Sequence, residues 1–108
     1  MLLLALLLAC LPAADPCDAM CAAAADREGA CLSDEGLDWS AAGYADSTDF
    51  EDACGTWAWE QRKLARDAGI SSAAVTATCE ARQAVFQDGS CDDAAGVDWN
   101  APAWEDGS

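Results

Sequence analysis

Seven cysteines and no histidine limit the chemistry that this sequence of 108 residues can carry out. Without histidine, Cys/His zinc sites and the Cys–His and Ser–His pairs of nucleophilic catalysis are excluded. The cysteine spacings also lack the Cys-x2-Cys knuckle that is typical of zinc sites. No other nucleophile has a candidate base, and no pattern places two carboxylates together as acid and base. We therefore predict no enzyme activity, no cofactor and no metal centre.

The acidic residues indicate which partners to exclude. The formal net charge of -15 repels both nucleic acid and an anionic lipid surface, so neither is an expected partner. The acidic clusters at 34–38 and 92–98 lack the alternate carboxylates, central glycine and terminal glutamate of a calcium loop. We interpret them as solvated surface, and we expect Asp38 and Asp98 to cap nearby backbone N–H groups.

One stretch of the sequence occurs twice. Residues 29–46 and 89–106 align without a gap and share seven identities in eighteen positions. Each copy contains Cys-x4-Gly-[Leu/Val]-Asp-Trp, and we call the two copies the arms. We interpret them as an internal duplication, with 15–47 and 71–108 arranged around a central helix at 48–69. We also predict that the arm tryptophans, Trp39 and Trp99, are buried in equivalent places against the helices.

The N-terminus has the features of an export signal. Residues 2–11 are apolar but span only about 15 Å as a helix, which is half of a bilayer core. The run Leu7-Leu8-Ala9-Cys10 resembles a bacterial lipobox. The resemblance implies a signal peptide at 1–9, cleavage before Cys10, a lipid on its sulfur, and a tether at 10–14. The alternative is an ordinary signal peptide that is cut after Ala14 and discards Cys10.

Further resemblances concern the destination of the mature chain. Leu11 stands where aspartate marks inner-membrane retention in Gram-negative lipoproteins, so the resemblance implies the outer membrane in such an organism. The mature part, through Asp-Pro-Cys-Asp-Ala-Met-Cys at 15–21 and the Gly-x-Asp-Trp arms, resembles small Cys- and Trp-rich bacterial proteins described only as lipoproteins. That resemblance implies no assigned activity.

Capping signals predict three helices and no strand, in a single domain at 15–108. Asp15 and Pro16 are a favoured start for the first helix, and we expect Gly29 to end it in a left-handed conformation. A Thr48–Glu51 capping box starts the central helix. The third helix begins between 72 and 78 and runs to about 87. The predicted fold is a small, all-α, disulfide-stapled three-helix domain with two loop arms.

The central helix has one predicted core face and one predicted outer patch. Spacings of four and three residues define the core face, which consists of Phe50, Cys54, Trp57, Gln61, Leu64 and Ala68. We interpret Gly55 as a position that the arms approach closely. On the other side of the helix, a possible binding patch consists of Trp59, Arg62, Lys63 and Arg66. The alternative is that an aromatic arm covers Trp59 and that acids pair with the bases.

We predict that the six cysteines of the domain form three disulfides in an oxidising compartment. They are Cys17, Cys21, Cys31, Cys54, Cys79 and Cys91. Fifteen connectivities are possible, and we exclude Cys21–Cys31 because its partners flank one helix. The duplication favours Cys17–Cys54, with the other four pairing either as Cys21–Cys79 and Cys31–Cys91 or crosswise.

These observations favour a lipid-anchored binding or structural module of the bacterial envelope, held at the membrane by its N-terminal lipid. Its protein or ligand partner is not indicated by the sequence. The first alternative is a freely secreted helical protein that handles lipids or other ligands, as saposins do. The second alternative is a small envelope enzyme, for which no catalytic constellation is visible.

Overall fold

The computed structural model describes residues 15–105, and this part of the chain contains helices and no strand. The predicted all-α, disulfide-stapled fold is confirmed. Three long helices are present as expected, together with a short fourth helix and one turn of 3-10 helix. The predicted signal peptide at 1–9, the lipidation site Cys10, the tether at 10–14 and the last residue of the second arm lie outside the described residues.

Helix α1 spans Pro16–Asp34. It begins as predicted, because the Asp15 side chain accepts a hydrogen bond of 2.8 Å from the Cys17 amide. The prediction that Gly29 ends the helix is wrong. A Cβ at this position would lie 3.3 Å from Cζ2 of Trp39, so glycine here permits the ring to approach the helix. The left-handed residue after α1 is Gly36, with a φ of 72°.

Helix α2 spans Ser47–Asp67 and is the predicted central helix. Its cap is not the predicted Thr48–Glu51 box. Asp46 is the N-cap and accepts a hydrogen bond of 2.8 Å from the Asp49 amide. The Asp49 carboxylate accepts one from the Ala45 amide, at 2.9 Å. The helix ends at Asp67, two residues before the predicted end, and Gly69 just beyond it is left-handed with a φ of 76°.

Helices α3, Ser72–Asp88, and α4, Cys91–Ala95, form the C-terminal half of the fold. Helix α3 starts at the early end of the predicted range. Helix α4 lies in the second arm and was not predicted; a reciprocal capping box between Ser90 and Asp93 starts it. In the first arm, Ala30 stands at the position of Ser90. Alanine has no side-chain acceptor that could cap a new helix, and α1 continues past this position to Asp34. The duplication stays a prediction.

The core contains few large side chains. Met20 of α1 and Val75 and Cys79 of α3 are fully buried, and Phe86 is nearly so. Much of the remaining buried apolar surface belongs to alanines and to the disulfides, since Ala24, Ala58 and Ala65 are also buried. So thin a core is typical of small domains that depend on cross-links for stability.

All six cysteines of the domain pair, as predicted. The bridges are Cys17–Cys79, Cys21–Cys54 and Cys31–Cys91. The last is one of the alternatives that the sequence left open, whereas the favoured Cys17–Cys54 bridge is wrong. Cys17 and Cys21 lie one turn apart on α1, and α3 packs beside the first of them while α2 packs beside the second.

The predicted core face of α2 is correct only in its first half. Cys54 is buried, and Phe50 and Trp57 are half-buried against the core. Leu64 is 53% exposed and Ala68 is also exposed, which contradicts the prediction. Ala58 and Ala65 are buried instead, because their small side chains allow α2 to lie close to its neighbours.

The arm tryptophans are half-buried, so the prediction that both are buried in equivalent places against the helices holds only in part. Trp99 stacks on Phe86 at a centroid distance of 5.7 Å and meets Trp57 edge-on at 5.1 Å. Trp39 contacts Phe50 at 5.2 Å. Both arms therefore reach the same aromatic cluster, and Trp99 contacts more of its rings than Trp39 does.

The aspartates that precede these tryptophans cap the backbone, as predicted. Asp38 accepts hydrogen bonds from the Ser40 hydroxyl and the Ala41 amide, and these bonds lower the pKa of its carboxyl. Asp98 accepts one from the Asn100 amide, at 2.9 Å. Each carboxylate therefore caps the turn that contains the following tryptophan.

Candidate docking face on helix α2

Three of the four residues of the predicted binding patch lie together on the solvent side of α2. Trp59 is 64% exposed, so neither arm covers it. The Lys63 ammonium lies 5.7 Å from the centroid of the Trp59 ring. Arg66 is exposed and follows within the next turn. At about 100° per residue, the three positions lie within about 60° of one another around the helix. Their binding role stays a prediction.

Arg62, the fourth residue of the patch, serves the fold. Its guanidinium donates to Asp15 Oδ1 and Ser72 Oγ, both at 2.8 Å, and to Thr76 Oγ1 at 3.3 Å. These contacts join the first turns of α1 and α3 to α2. Partial burial raises the pKa of Asp15, but the hydrogen bonds from Arg62 and from the Cys17 amide outweigh it and hold the pKa below its ordinary value.

Two other basic side chains of the five in the sequence also contact the fold. Arg27 donates to the carbonyls of Phe86 and Gln87 at the end of α3. Arg82 is buried, with its guanidinium 5.2 Å from the ring centroid of Trp57, and it donates to the Asp98 carbonyl. Lys63 and Arg66 are the two basic residues that face solvent, and both lie just beyond Trp59.

The same face of α2 is acidic on the N-terminal side of Trp59. A groove of about 620 Å³ separates α1 from α2, and its lining residues are Asp18, Cys21, Glu51, Asp52, Gly55, Thr56 and Trp59. The three carboxylates of this groove are exposed and accept no hydrogen bond from any other residue between 15 and 105. The face is therefore acidic before Trp59 and basic after it.

Gly55 leaves an open space in this groove. A Cβ built on Gly55 would meet no atom within 4 Å, so the interpretation that the arms approach this position is wrong. The acidic half of the face was not predicted, although its signal is present in the sequence. Asp52, Gly55 and Trp59 follow one another at helical spacing, and the same count that found Lys63 and Arg66 would have found them.

The remaining features of residues 15–105 bear on metals, membranes and small cavities. All six cysteines between 15 and 105 are in disulfides, and within this range no group of three Cys, Asp or Glu side chains could hold a metal ion. None of the helices here combines the length and the apolar character needed to cross a membrane. A cleft of about 150 Å³ in the aromatic cluster is apolar and small, with Tyr44, Phe50, Trp57 and Trp99 among its lining residues.

The chain matches no family model, no curated protein and no solved structure.

Proposed function

We propose that this protein is a lipid-anchored, non-catalytic module of the bacterial envelope that acts through a surface and not through an active site. Three disulfides are typical of an oxidising compartment outside the cytoplasm. The pairing of the cysteines also supports a lipid on Cys10. The six cysteines of the domain pair among themselves, which leaves Cys10 as the odd cysteine of the sequence.

The position of that odd cysteine supports lipidation. Cys10 follows Leu7-Leu8-Ala9 at the end of an apolar run that is too short to span a bilayer. A diacylglyceryl group on its sulfur, with an acyl chain on the new N-terminus, would supply the two or more chains that stable anchoring requires. The tether at 10–14 would then lead into Asp15, which Arg62 joins to α2 and α3.

The secreted alternative with a lipid-handling role receives less support. A binding site for a lipid or drug-sized ligand usually occupies about 300–1,000 Å³ and is mainly apolar. The apolar cleft of about 150 Å³ is smaller than this. The two larger grooves, of about 620 Å³ beside α2 and about 540 Å³ between α1 and α3, both have charged side chains in their linings. We therefore favour the surface of α2 over an internal cavity as the place of action.

Two variants test the anchor against ordinary secretion. Cys10→Ser is expected to release the protein from the membrane fraction, because no acceptor for the lipid remains. Ala14→Leu, the matched control, should leave membrane association unchanged, since it alters only the small residue that ordinary signal cleavage after position 14 would need. The opposite pattern, in which Cys10→Ser has no effect and Ala14→Leu blocks processing, would overturn the proposal.

A further inference from the structure

The outer face of α2 has an order of features that suits pairing with itself. Glu51 and Asp52 come first, the open space at Gly55 follows, then the exposed indole of Trp59, and finally Lys63 with Arg66 one turn later. When a second such helix runs antiparallel, the acidic end of one faces the basic end of the other. Such a face can therefore oppose each charged end of its own copy with the opposite charge.

We propose that this face binds the same face of a second copy of the chain, with the two α2 helices antiparallel. Placing Trp59 of one copy over Gly55 of the other fixes the register. In an antiparallel pair, the numbers of any two residues that face each other then have the same sum. In this register Lys63 of the second copy lies opposite Glu51. The two-fold axis passes level with position 57, and every contact occurs twice, as in an isologous dimer.

Gly55 gives a reason to prefer a second copy to other occupants. A glycine in the interior of a helix is destabilising relative to alanine, and no residue between 15 and 105 uses the space beside it. In the proposed pair, the absent side chain makes room for an indole. Small residues permit this kind of close approach, and aromatic anchors that fill such spaces dominate interface energetics.

The charge pattern points the same way. A strongly basic partner would meet Lys63 and Arg66, and a strongly acidic partner would meet the three carboxylates of the groove. The face of a second copy opposes each sign with its opposite. The net charge of -15 repels two copies at long range, but physiological salt screens this repulsion over about 8 Å. We therefore expect a weak pair at physiological salt, favoured where anchoring concentrates the chains on a membrane.

The first experiment is sedimentation velocity of the full exported chain in mild detergent at physiological salt, over a range of protein concentrations. Wild type is expected to shift from monomer to dimer as concentration rises. Trp59→Ala and Gly55→Gln should each weaken this association by at least about tenfold. Leu64→Ala is the matched control, because it removes an exposed apolar side chain about 140° away around the same helix.

Thermal melting separates a lost interface from a lost fold. Gly55→Gln should melt no lower than wild type, since glutamine is the better helix former and the space beside residue 55 is open. A chain that stays monomeric at every concentration would overturn the proposal, and so would a dimer that survives both Trp59→Ala and Gly55→Gln.

A charge-reversal pair tests the antiparallel register. Glu51→Lys alone and Lys63→Glu alone each place like charges opposite one another in their own dimers, so each should remain monomeric. When the two variants are mixed, every opposed pair again has opposite signs, and differently tagged copies should co-purify. A mixture that associates no better than either variant alone would overturn the proposed pairing.

Discussion

Replacing both Cys31 and Cys91 with serine is expected to destabilise the domain by about 3–4 kcal/mol. This bridge joins residues 60 apart in sequence, from the end of α1 to the start of α4. Cys91 is exposed and Cys31 half-exposed, so the serine hydroxyls can reach water. The loss of stability should therefore come mainly from the freedom that the unfolded chain gains, with little contribution from lost packing.

The other two disulfides reduce the stability that the Cys31–Cys91 bridge is expected to contribute. A bridge closing a loop of about 60 residues by itself would contribute about 4.3 kcal/mol. With Cys17–Cys79 intact, however, a shorter covalent path already links the two sites. It runs back 14 residues from Cys31 to Cys17 and forward 12 from Cys79 to Cys91. The loop that the bridge closes is then about 28 residues long, and the expected contribution falls to about 3.6 kcal/mol.

Urea unfolding of the oxidised proteins, followed by tryptophan fluorescence, measures this difference. The matched comparison is the double variant Cys21→Ala, Cys54→Ala. It opens a loop of similar length, but it also removes two buried sulfur atoms, from side chains that are 2% and 6% exposed. It should cost about 1–2 kcal/mol more than the serine pair. A loss below about 1 kcal/mol for Cys31 and Cys91, or a loss that equals that of the buried pair, would refute the reasoning.

Three further predictions concern the arms and the helix starts. Trp99→Ala should cost about 3 kcal/mol and Trp39→Ala about half as much, because Trp99 packs on more aromatic rings; equal thermal shifts would contradict this. Asp15→Asn should cost less than about 1 kcal/mol at neutral pH, where the charge beside Arg62 is present. Hydrogen bonds hold the pKa of Asp15 below its ordinary value in the folded protein. The stability that its charge contributes is therefore complete above the ordinary pKa and disappears as pH falls through the lower pKa of the folded state. Urea unfolding of both proteins as a function of pH should show their difference vanish in acid, and a difference that persists there would contradict the assignment. Ser90→Ala should cost about 1 kcal/mol through loss of the capping box, and unchanged amide exchange in α4 would count against it.

Local signals were sufficient where a residue acts on its own neighbours. The Asp15 cap and the caps at Asp38 and Asp98 all depend on contacts within a few residues. The sequence shows such contacts directly, because side-chain capping is a property of the local pattern. The cap of α2 was wrong by two residues, since Asp46 and not Thr48 accepts the capping hydrogen bond.

Distant contacts explain the larger errors. Gly29 has the pattern of a helix terminator, and only the indole of Trp39, ten residues away, shows that it is a packing position. Cys17 and Cys21 share one face of α1, so their partners depend on which neighbouring helix packs beside each of them. A periodic pattern of apolar residues does not contain that information.

The candidate site was found in part for a similar reason. Helical spacing placed Lys63 and Arg66 beside Trp59, and the structure leaves all three exposed. The same spacing also placed Arg62 in the patch. Its guanidinium, however, donates hydrogen bonds to the first turns of α1 and α3. The open space at Gly55 could only be seen once the neighbouring elements were in place.

An intact-mass measurement of the exported protein, before and after reduction, tests most directly whether it is a lipid-anchored, disulfide-stapled module. The predicted result is a chain that begins at Cys10 with acyl groups attached. Alkylation should label no thiol in the native protein and all six cysteines of the domain after reduction. A chain that begins at Asp15 without an acyl adduct would contradict the proposed anchor, and alkylation before reduction would contradict the three bridges.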